Sequence, residues 1–527
     1  MSEATAKRGP RGALAVAAGI LLSRIAGLVR ERVFAHYLAN SPAAAAFKAA
    51  LRIPNLLQTL LGEGVLSASF IPVYARLVSE GRHEEASRVA RVVGTLLALV
   101  ASTIAVIGVI AADPLVDLLA PGFGESTREL TVQLVRIMFP GTALLAMSAW
   151  CLGVLNSHRR FFLSYVSPVL WNAALIAAAI VAGRRFAGVD DEVAIWLAWG
   201  TVIGSAAQFL VQLPTVIRLL RGLSPSLDVK HDGVRATLRA FVPVLIGRGS
   251  VQLSAYVDQV LASFLGETIV AAMSYAQILY LLPVSLFGMA ISAAELPEMA
   301  AGGNADARSR HVHARLASSL RRVVFLVVPS AVAFVVIGGS IVALVFQSGR
   351  FGSSDSELVA IILAGSAIGL VPNTLGRLLG SALYALGEPK PPLRAALVRI
   401  AFGTGLGFVV ALPLRHALGY DAVVGAFGLA GCAGLAAWIE LWLLRRSLAA
   451  RIGPPPIPVR LALGALAAAA LAGGVGYAAG WVADSRAAPV WLAAVVAIAG
   501  FGTTYLGTMI AARVPEARGL VRRLRRN

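Results

Sequence analysis

Four cationic side chains lie in apolar runs near the start of the chain, and their types and spacing suit the binding of an anion. Arg24 and Arg30 are six residues apart, about 240° around a helix, so they can border a broad cavity but do not share one face. Lys48 and Arg52 are four residues apart and share a face. Because guanidinium groups match phosphate oxygens, the set predicts a phosphate-binding site. The alternative is that these side chains reach lipid headgroups, most readily Lys48.

The apolar run RIPNLLQTLLGEGVLSASFIP, which begins at Arg52, contains residues that weaken a helix. It also contains a carboxylate, Glu63, which is costly to bury unless a cation lies close to it. The pattern predicts a helix that bends and a carboxylate that interacts with a nearby cation. The predicted hinge residues are Pro54, Asn55, Gly62 and Gly64.

The composition indicates a membrane protein. Of the 527 residues, 58% are hydrophobic and 14% are charged, whereas about 25% are charged in soluble domains. Apolar runs of about 20 residues recur along the chain and predict about fourteen transmembrane helices. The formal net charge of +19 falls mainly in the short loops between these runs, as membrane topology requires. This placement argues against a nucleic-acid partner.

Basic and acidic loops alternate along the chain and predict its orientation. Loops around Arg82, Arg159 and Arg221 are basic, whereas those around Asp113 and Asp190 are acidic. By the positive-inside rule both termini are cytoplasmic, which requires an even number of spans. The first apolar run contains two arginines and no clear small-residue cleavage site, so we expect a retained helix and not a signal peptide.

An internal repeat predicts the domain organisation. A shift of 225 residues lays LLQTLLGEGVLSASFIP (56–72) over LLPVSLFGMAISAAELP (281–297), and a shift of about 228 lays FGESTREL (123–130) over FGSSDSEL (351–358). The shift spans six helices, so the repeat is parallel and its two lobes face a central cavity, the layout of an alternating-access transporter. We predict an N-terminal lobe (1–222), a C-terminal lobe (223–450), and two further helices with a basic tail (451–527).

Few other residues suggest chemistry. Arg377 is the best cation of the second lobe, Asp258 either faces a cavity or seats its helix, and Glu440 fits an inner helix end. The seven histidines and two cysteines show no metal-ligand spacing. There is no nucleotide loop and no catalytic triad. We therefore expect no metal, no cofactor and no enzymatic activity.

Two motifs carry a resemblance to a known family. They are SRIAGLVRERVFAHYL (23–38) and FKAALRIPNLLQTLLGEGVLSASFIPVYARL (47–77), with weaker echoes in FQSGRF (346–351) and LYALGEPKPPLRAAL (383–397). The two motifs are similar to the Ser-Arg-x-x-Gly-x-x-Arg first helix and the Pro-Asn…Glu-Gly…Ser-x-x-Phe-x-Pro second helix of the MurJ/MviN family of bacterial lipid II flippases. That family belongs to the MOP exporter superfamily, and the resemblance covers the whole chain.

The resemblance implies a cationic cavity for the pyrophosphate and sugar-peptide head of lipid II, with a groove for its polyprenyl tail at the last two helices. The matching cavity residues are Arg24, Arg30 and Glu63, and Arg377 stands where the family has Lys or Arg. The chain departs from the family at three places. Family members often have an Asp that opens the second helix, one or two Arg after Pro-Asn-Leu-Leu, and an Arg in the eighth predicted span, which is centred near residue 282. The residues found there are Ala45, Gln58, Thr59 and Ile278.

The resulting hypothesis is a flippase of the bacterial inner membrane that carries lipid II from the cytoplasmic to the periplasmic leaflet for cell-wall synthesis. Its expected partners are lipid II, membrane lipids and the cell-wall synthesis machinery. Alternatives are a flippase for another undecaprenyl-pyrophosphate-linked oligosaccharide, a MATE-like antiporter, which would want acidic cavity residues, or a non-transporting scaffold. The predicted substrate-binding residues are Arg24, Arg30, Lys48, Arg52, Glu63 and Arg377.

Overall fold

The computed structural model describes residues 10–61, 63–222, 224–289, 291 and 305–524. Apart from one isolated β-bridge between Ser348 and Phe351, these residues form helices, turns and loops. Eleven helices in this part of the chain are long and apolar enough to cross a membrane. The prediction of an all-helical multi-pass membrane protein is confirmed.

The chain forms two compact units, Met1–Ser263 and Phe264–Asn527. The predicted spans of the first unit fall on α1, on α2 with α3, on α4, on α6 to α8, and on α9. The bounds are α1 (Pro10–Leu38), α2 (Pro42–Leu61), α3 (Glu63–Ser79), α4 (His83–Ile110), α5 (Ala112–Leu119), α6 (Glu125–Ser157), α7 (Phe161–Arg185), α8 (Asp190–Leu219) and α9 (Asp232–Ser263). The predicted lobe boundaries at 222/223 and 450/451 remain predictions.

The core of the first unit lies where α3, α4 and α6 meet. Trp150 is fully buried there and its indole N–H donates to the Ala90 carbonyl oxygen at 3.0 Å. Phe70 and Tyr74 stack on each other in the same cluster, with ring centres 5.1 Å apart. The close approach of α4 to α6 depends on Gly94, because a Cβ there would lie 2.8 Å from the Trp150 ring.

The second unit contains nine further helices among its described residues. Val284–Met289 is a π-helical extension of α10, and α14 continues through a π-helical stretch and a short helix to Leu418. The bounds are α10 (Glu267–Pro283), α11 (Ala305–Val336), α12 (Gly338–Phe346), α13 (Ser353–Ala385), α14 (Lys390–Val409), α15 (Ala422–Ile452), α16 (Val459–Ser485), α17 (Val490–Ala511) and α18 (Pro515–Leu524).

Small residues and aromatic side chains hold the second unit together. Helices α13 and α15 pack closely because Gly369 faces Gly434, where a Cβ would meet the Gly369 backbone nitrogen at 2.6 Å; such small residues let helix backbones approach in membranes. Tyr275 packs against Phe346 and Phe351, with ring centres 5.1 and 5.5 Å away. These contacts join α10 and α12 to the loop that precedes α13.

The two copies of the sequence repeat differ in local helix geometry. In the first copy α2 runs through Pro54 as an α-helix to Leu61. In the second copy a π-helical stretch, Val284–Met289, aligns with residues 59–64 under the shift of 225.

Candidate functional site

A cluster of charged side chains lies buried where α1, α2 and α7 meet. A guanidinium nitrogen of Arg30 (Nη2) lies 2.5 Å from one carboxylate oxygen of Glu31, and the Lys48 amine forms an ion pair with the other oxygen. The three side chains are 15%, 6% and 8% exposed. Two cations share one carboxylate, so the three groups carry a net charge of +1. We call them, with the two α7 residues described next, the Arg30 cluster.

Two residues of α7 complete the Arg30 cluster. Arg30 Nη1 donates to the Asn172 side-chain oxygen at 3.1 Å, and the Asn172 amide donates to the Pro168 carbonyl at 3.0 Å, which holds the amide in place. The Arg30 guanidinium carbon lies 4.8 Å from the centre of the Trp171 ring, a cation–π contact. Arg30 Nε and Trp171 Nε1 are buried donors without an acceptor in the described structure. Such donors and a surplus positive charge suit an anion or an ordered water.

The turn between α1 and α2 brings Lys48 to Glu31. Ala39 adopts a positive φ of 49° and reverses the chain. The Ser41 side-chain oxygen then accepts from the Ala44 N–H at 3.2 Å and caps α2. The Phe34 and Phe47 rings pack edge to face at 5.2 Å and fix α1 against α2. Lys48 therefore lies in the protein interior, which argues against the alternative that it reaches lipid headgroups.

Arg52 lies one helical turn beyond Lys48, against α9. Its backbone carbonyl accepts a hydrogen bond from the Tyr256 hydroxyl at 2.9 Å. Its guanidinium group is within electrostatic range of Tyr256 and Asp258. Helix α9 thus places a carboxylate near the predicted cavity cation, a partner that sequence spacing alone did not identify.

The other predicted site residues of the first unit are described in part. Arg24 is exposed on α1, and Asn55 is exposed on α2, where its carbonyl accepts from the Thr59 hydroxyl at 2.9 Å. Gly62 lies outside the described residues. The backbones of Pro54, Glu63 and Gly64 are helical. The roles assigned to these residues remain predictions.

A second polar network lies within the other unit, around Asn373 of α13. The Asn373 amide nitrogen lies 2.6 Å from the Tyr280 hydroxyl, and its oxygen accepts from Arg399 Nη1 at 2.9 Å. The same Arg399 nitrogen lies 3.1 Å from a Glu440 carboxylate oxygen. Arg377, the predicted cation of this lobe, is exposed on α13, one turn beyond Asn373. We call Tyr280, Asn373, Arg399 and Glu440 the Arg399 network.

The sequence reasoning missed most of the partners in both clusters. The sequence patterns did not single out Glu31, Trp171, Asn172 or Arg399. A signal existed for Arg399, since it stands alone in the apolar run of α14, but no pattern marked the two α7 residues. Glu440, expected at a helix end, lies twelve residues before the end of α15. Among the described residues no group of His, Cys, Asp or Glu could hold a metal ion.

Comparison with known proteins places this chain in a family. The family model described as "Lipid II flippase MurJ" matches residues 34–497. The lipid II flippase MurJ of Burkholderia cenocepacia is 33% identical over 429 residues, which cover 80% of this chain and 81% of that protein. A probable lipid II flippase MurJ of Rhizobium meliloti is 30% identical over 496 residues, which cover 90% of this chain and 88% of that protein.

Solved structures show the same fold. A structure of the lipid II flippase MurJ in an inward closed conformation superposes with a TM-score of 0.78 at 22% identity, covering 95% of this chain and 99% of that one. An inward-facing multidrug MATE transporter of the MOP superfamily superposes with a TM-score of 0.63 at 17% identity, covering 81% of this chain and 95% of that one. Since the family model spans most of the sequence and two relatives reach 30% identity, the chain belongs to the MurJ family of lipid II flippases.

Proposed function

We propose that this protein is a flippase that carries lipid II across the bacterial inner membrane by alternating access. Membership of a family whose members are named lipid II flippases supports the activity. In this chain, the observation that best supports flippase activity is the Arg30 cluster. Two cations and one carboxylate are buried there together with two unsatisfied N–H donors. A pyrophosphate needs surplus positive charge and aligned donors.

In this proposal the cationic residues of the first lobe receive the pyrophosphate group, and the sugar-peptide head fills the rest of the cavity. Arg30 contributes a guanidinium group already oriented by Glu31, Asn172 and Trp171, so little side-chain entropy is lost on binding. Arg24 and Arg52 supply further positive charge. With both termini cytoplasmic, the head enters from the cytoplasm and leaves toward the periplasm.

The cations also bear on the competing hypotheses. A MATE-like antiporter for cationic drugs would require acidic cavity residues to bind its substrate, whereas the Arg30 cluster carries a net positive charge. A scaffold without transport activity does not require buried charges, and burying them costs free energy. The fold shared with the MATE transporter concerns architecture alone.

The decisive experiment is complementation of a bacterial strain depleted of its own lipid II flippase. We expect the wild-type chain to restore growth, and Arg24→Ala and Arg30→Ala to reduce or abolish rescue at equal membrane expression. Arg184→Ala, which removes an exposed cation from the last turn of α7, is the matched control and should rescue fully. Failure of a well-expressed wild-type chain would contradict the lipid II assignment. Full rescue by both alanine variants would contradict the role of the cations.

A further inference from the structure

The Arg399 network lies deep within its helices. Arg399 is nine residues from the start of α14, or about 14 Å along the helix, and Glu440 is twelve residues from the end of α15, or about 18 Å. The hydrocarbon core of a bilayer is about 30 Å thick, so both charges lie within the membrane-spanning stretches of their helices and not at the helix ends. Charged groups at this depth face the protein interior or a water-filled cavity.

The periodicity of α14 shows which way Arg399 points. Ala395 and Gly403 lie four residues to either side on the same face; Ala395 is buried, and Gly403 faces Ala436 of α15. Leu397 and Phe408 lie on the opposite face, about 160° and 180° around the helix, and are exposed. Arg399 is therefore on the face of α14 that packs on the rest of the unit, and not on its apolar exposed face.

Part of the Arg399 guanidinium remains available on this face. Its side chain is 34% exposed, against 17% for Glu440. Nη1 serves both Asn373 and Glu440, whereas Nε and Nη2 have no protein acceptor among the described residues. Because an arginine presents Nε and Nη2 as a two-donor edge that fits two oxygens of a carboxylate or phosphate, the network leaves a preoriented anion-binding edge open.

A second cation lies beside this edge. Arg377 is four residues beyond Asn373 on α13 and is exposed. The guanidinium groups of Arg377 and Arg399 both act electrostatically on the Tyr280 hydroxyl. Two cations and the single carboxylate of Glu440 carry a net charge of +1, as in the Arg30 cluster, so this part of the second unit also has a surplus charge for an anion.

We propose that the Nε–Nη2 edge of Arg399, oriented by Glu440 and Asn373 and assisted by Arg377, binds phosphate oxygens of a lipid-linked pyrophosphate. The inference rests on the proposed function and adds to it a substrate-binding residue in the second lobe. Glu440 and Asn373 are positioning residues, since they act through Arg399.

The test compares binding of farnesyl pyrophosphate and farnesol by the purified full chain in detergent, using calorimetric titration. Arg399→Gln should weaken pyrophosphate binding about tenfold, because charge-assisted hydrogen bonds to the phosphate oxygens are lost, and leave farnesol unaffected. Arg394→Gln is the matched control, since Arg394 is an exposed cation on the same helix nearer its cytoplasmic end, and it should bind like wild type.

A double variant separates binding from charge balance. If Arg399 only neutralises Glu440, then Arg399→Gln with Glu440→Gln restores a neutral pair and should restore wild-type binding, which would overturn the proposal. If Arg399 contacts the pyrophosphate, the double variant stays about tenfold weaker although its unfolding temperature returns toward the wild-type value. An equal loss in Arg394→Gln would also overturn it.

The lipid II assignment and the Arg399 site can be refuted independently of each other. A wild-type chain that does not rescue the depleted strain, yet binds farnesyl pyrophosphate in an Arg399-dependent way, would refute the lipid II assignment and leave the site standing. A wild-type chain that rescues, with a double variant that binds the probe and rescues equally well, would refute the site alone.

Discussion

At the scale of single residues, Glu31 has the central position in the first-lobe site. Its carboxylate holds Arg30 with one oxygen and Lys48 with the other, and it is almost completely buried. Burying three charges is tolerated because each has a partner; an unpaired charge in the same place would cost several kcal/mol. Glu31 therefore sets the orientation of Arg30 and lowers the cost of keeping Lys48 in the interior.

Removing the Glu31 carboxylate should destabilise the protein strongly. We expect Glu31→Gln to cost about 3–5 kcal/mol, because it leaves two cations facing each other without a counter-charge. Combining it with Lys48→Met should recover much of the loss, since one of the two cations is then removed with little change in volume. Thermal unfolding in detergent measures both effects.

An exposed carboxylate provides the control for this prediction. Glu84→Gln, in the first turn of α4 and exposed, should shift the unfolding temperature little, because surface charges contribute at most about 1 kcal/mol. Equal unfolding temperatures for Glu31→Gln and wild type would show that the ion pairs of the Arg30 cluster do not stabilise the fold.

At the scale of helices, the second span is continuous through its proline. Pro54 weakens a helix in principle, yet α2 continues through it to Leu61, because flanking turns in a packed helix can absorb one lost hydrogen bond. In the other copy of the repeat the stretch Val284–Met289 is π-helical. π-Helical turns occur frequently at functional sites, so this stretch is a candidate hinge of the second unit.

The packing of α4 on α6 provides a stability prediction at the same scale. Gly94→Ala should destabilise the protein by about 1–3 kcal/mol, because the new Cβ would lie 2.8 Å from the rigid Trp150 indole. Gly502→Ala in α17 is the matched control, since nothing lies within 4 Å of its Cβ position, and it should cost no stability. Unfolding temperatures in detergent rank the two variants. A Gly94→Ala protein as stable as Gly502→Ala would contradict this account of the packing.

At the scale of the whole molecule, the distribution of charge predicts one orientation in the membrane. The basic loops and the tail RGLVRRLRRN belong to one side, and the acidic loops near Asp113 and Asp190 to the other. The last helix, α18, is held by an ion pair. Arg321 of α11 donates two hydrogen bonds, of 2.6 and 3.1 Å, to the carboxylate of Glu516 in α18. This pair holds α18 beside α11 on the predicted cytoplasmic side.

Reporter fusions test the orientation. Green fluorescent protein fused after Asn527 should fluoresce, and alkaline phosphatase fused after Gly81 should be inactive, because both sites are predicted to be cytoplasmic. Alkaline phosphatase fused after Gly188, in the loop before the acidic start of α8, should be active in the periplasm. Active phosphatase after Gly81 would invert the predicted topology and the direction of transport inferred from it.

The sequence by itself determined that this is a multi-pass helical membrane protein, because runs of about 20 apolar residues have few other stable solutions. It also identified Arg30, Lys48 and Arg52, since a cation in an apolar run is conspicuous, and its first two motifs indicated the family. Only the tertiary structure decided which groups these cations meet. Asn172 lies 142 residues from Arg30 in sequence, and no spacing rule connects them. The pairing of Arg399 with Glu440 likewise depends on the packing of α14 against α15, which helix periodicity alone does not specify.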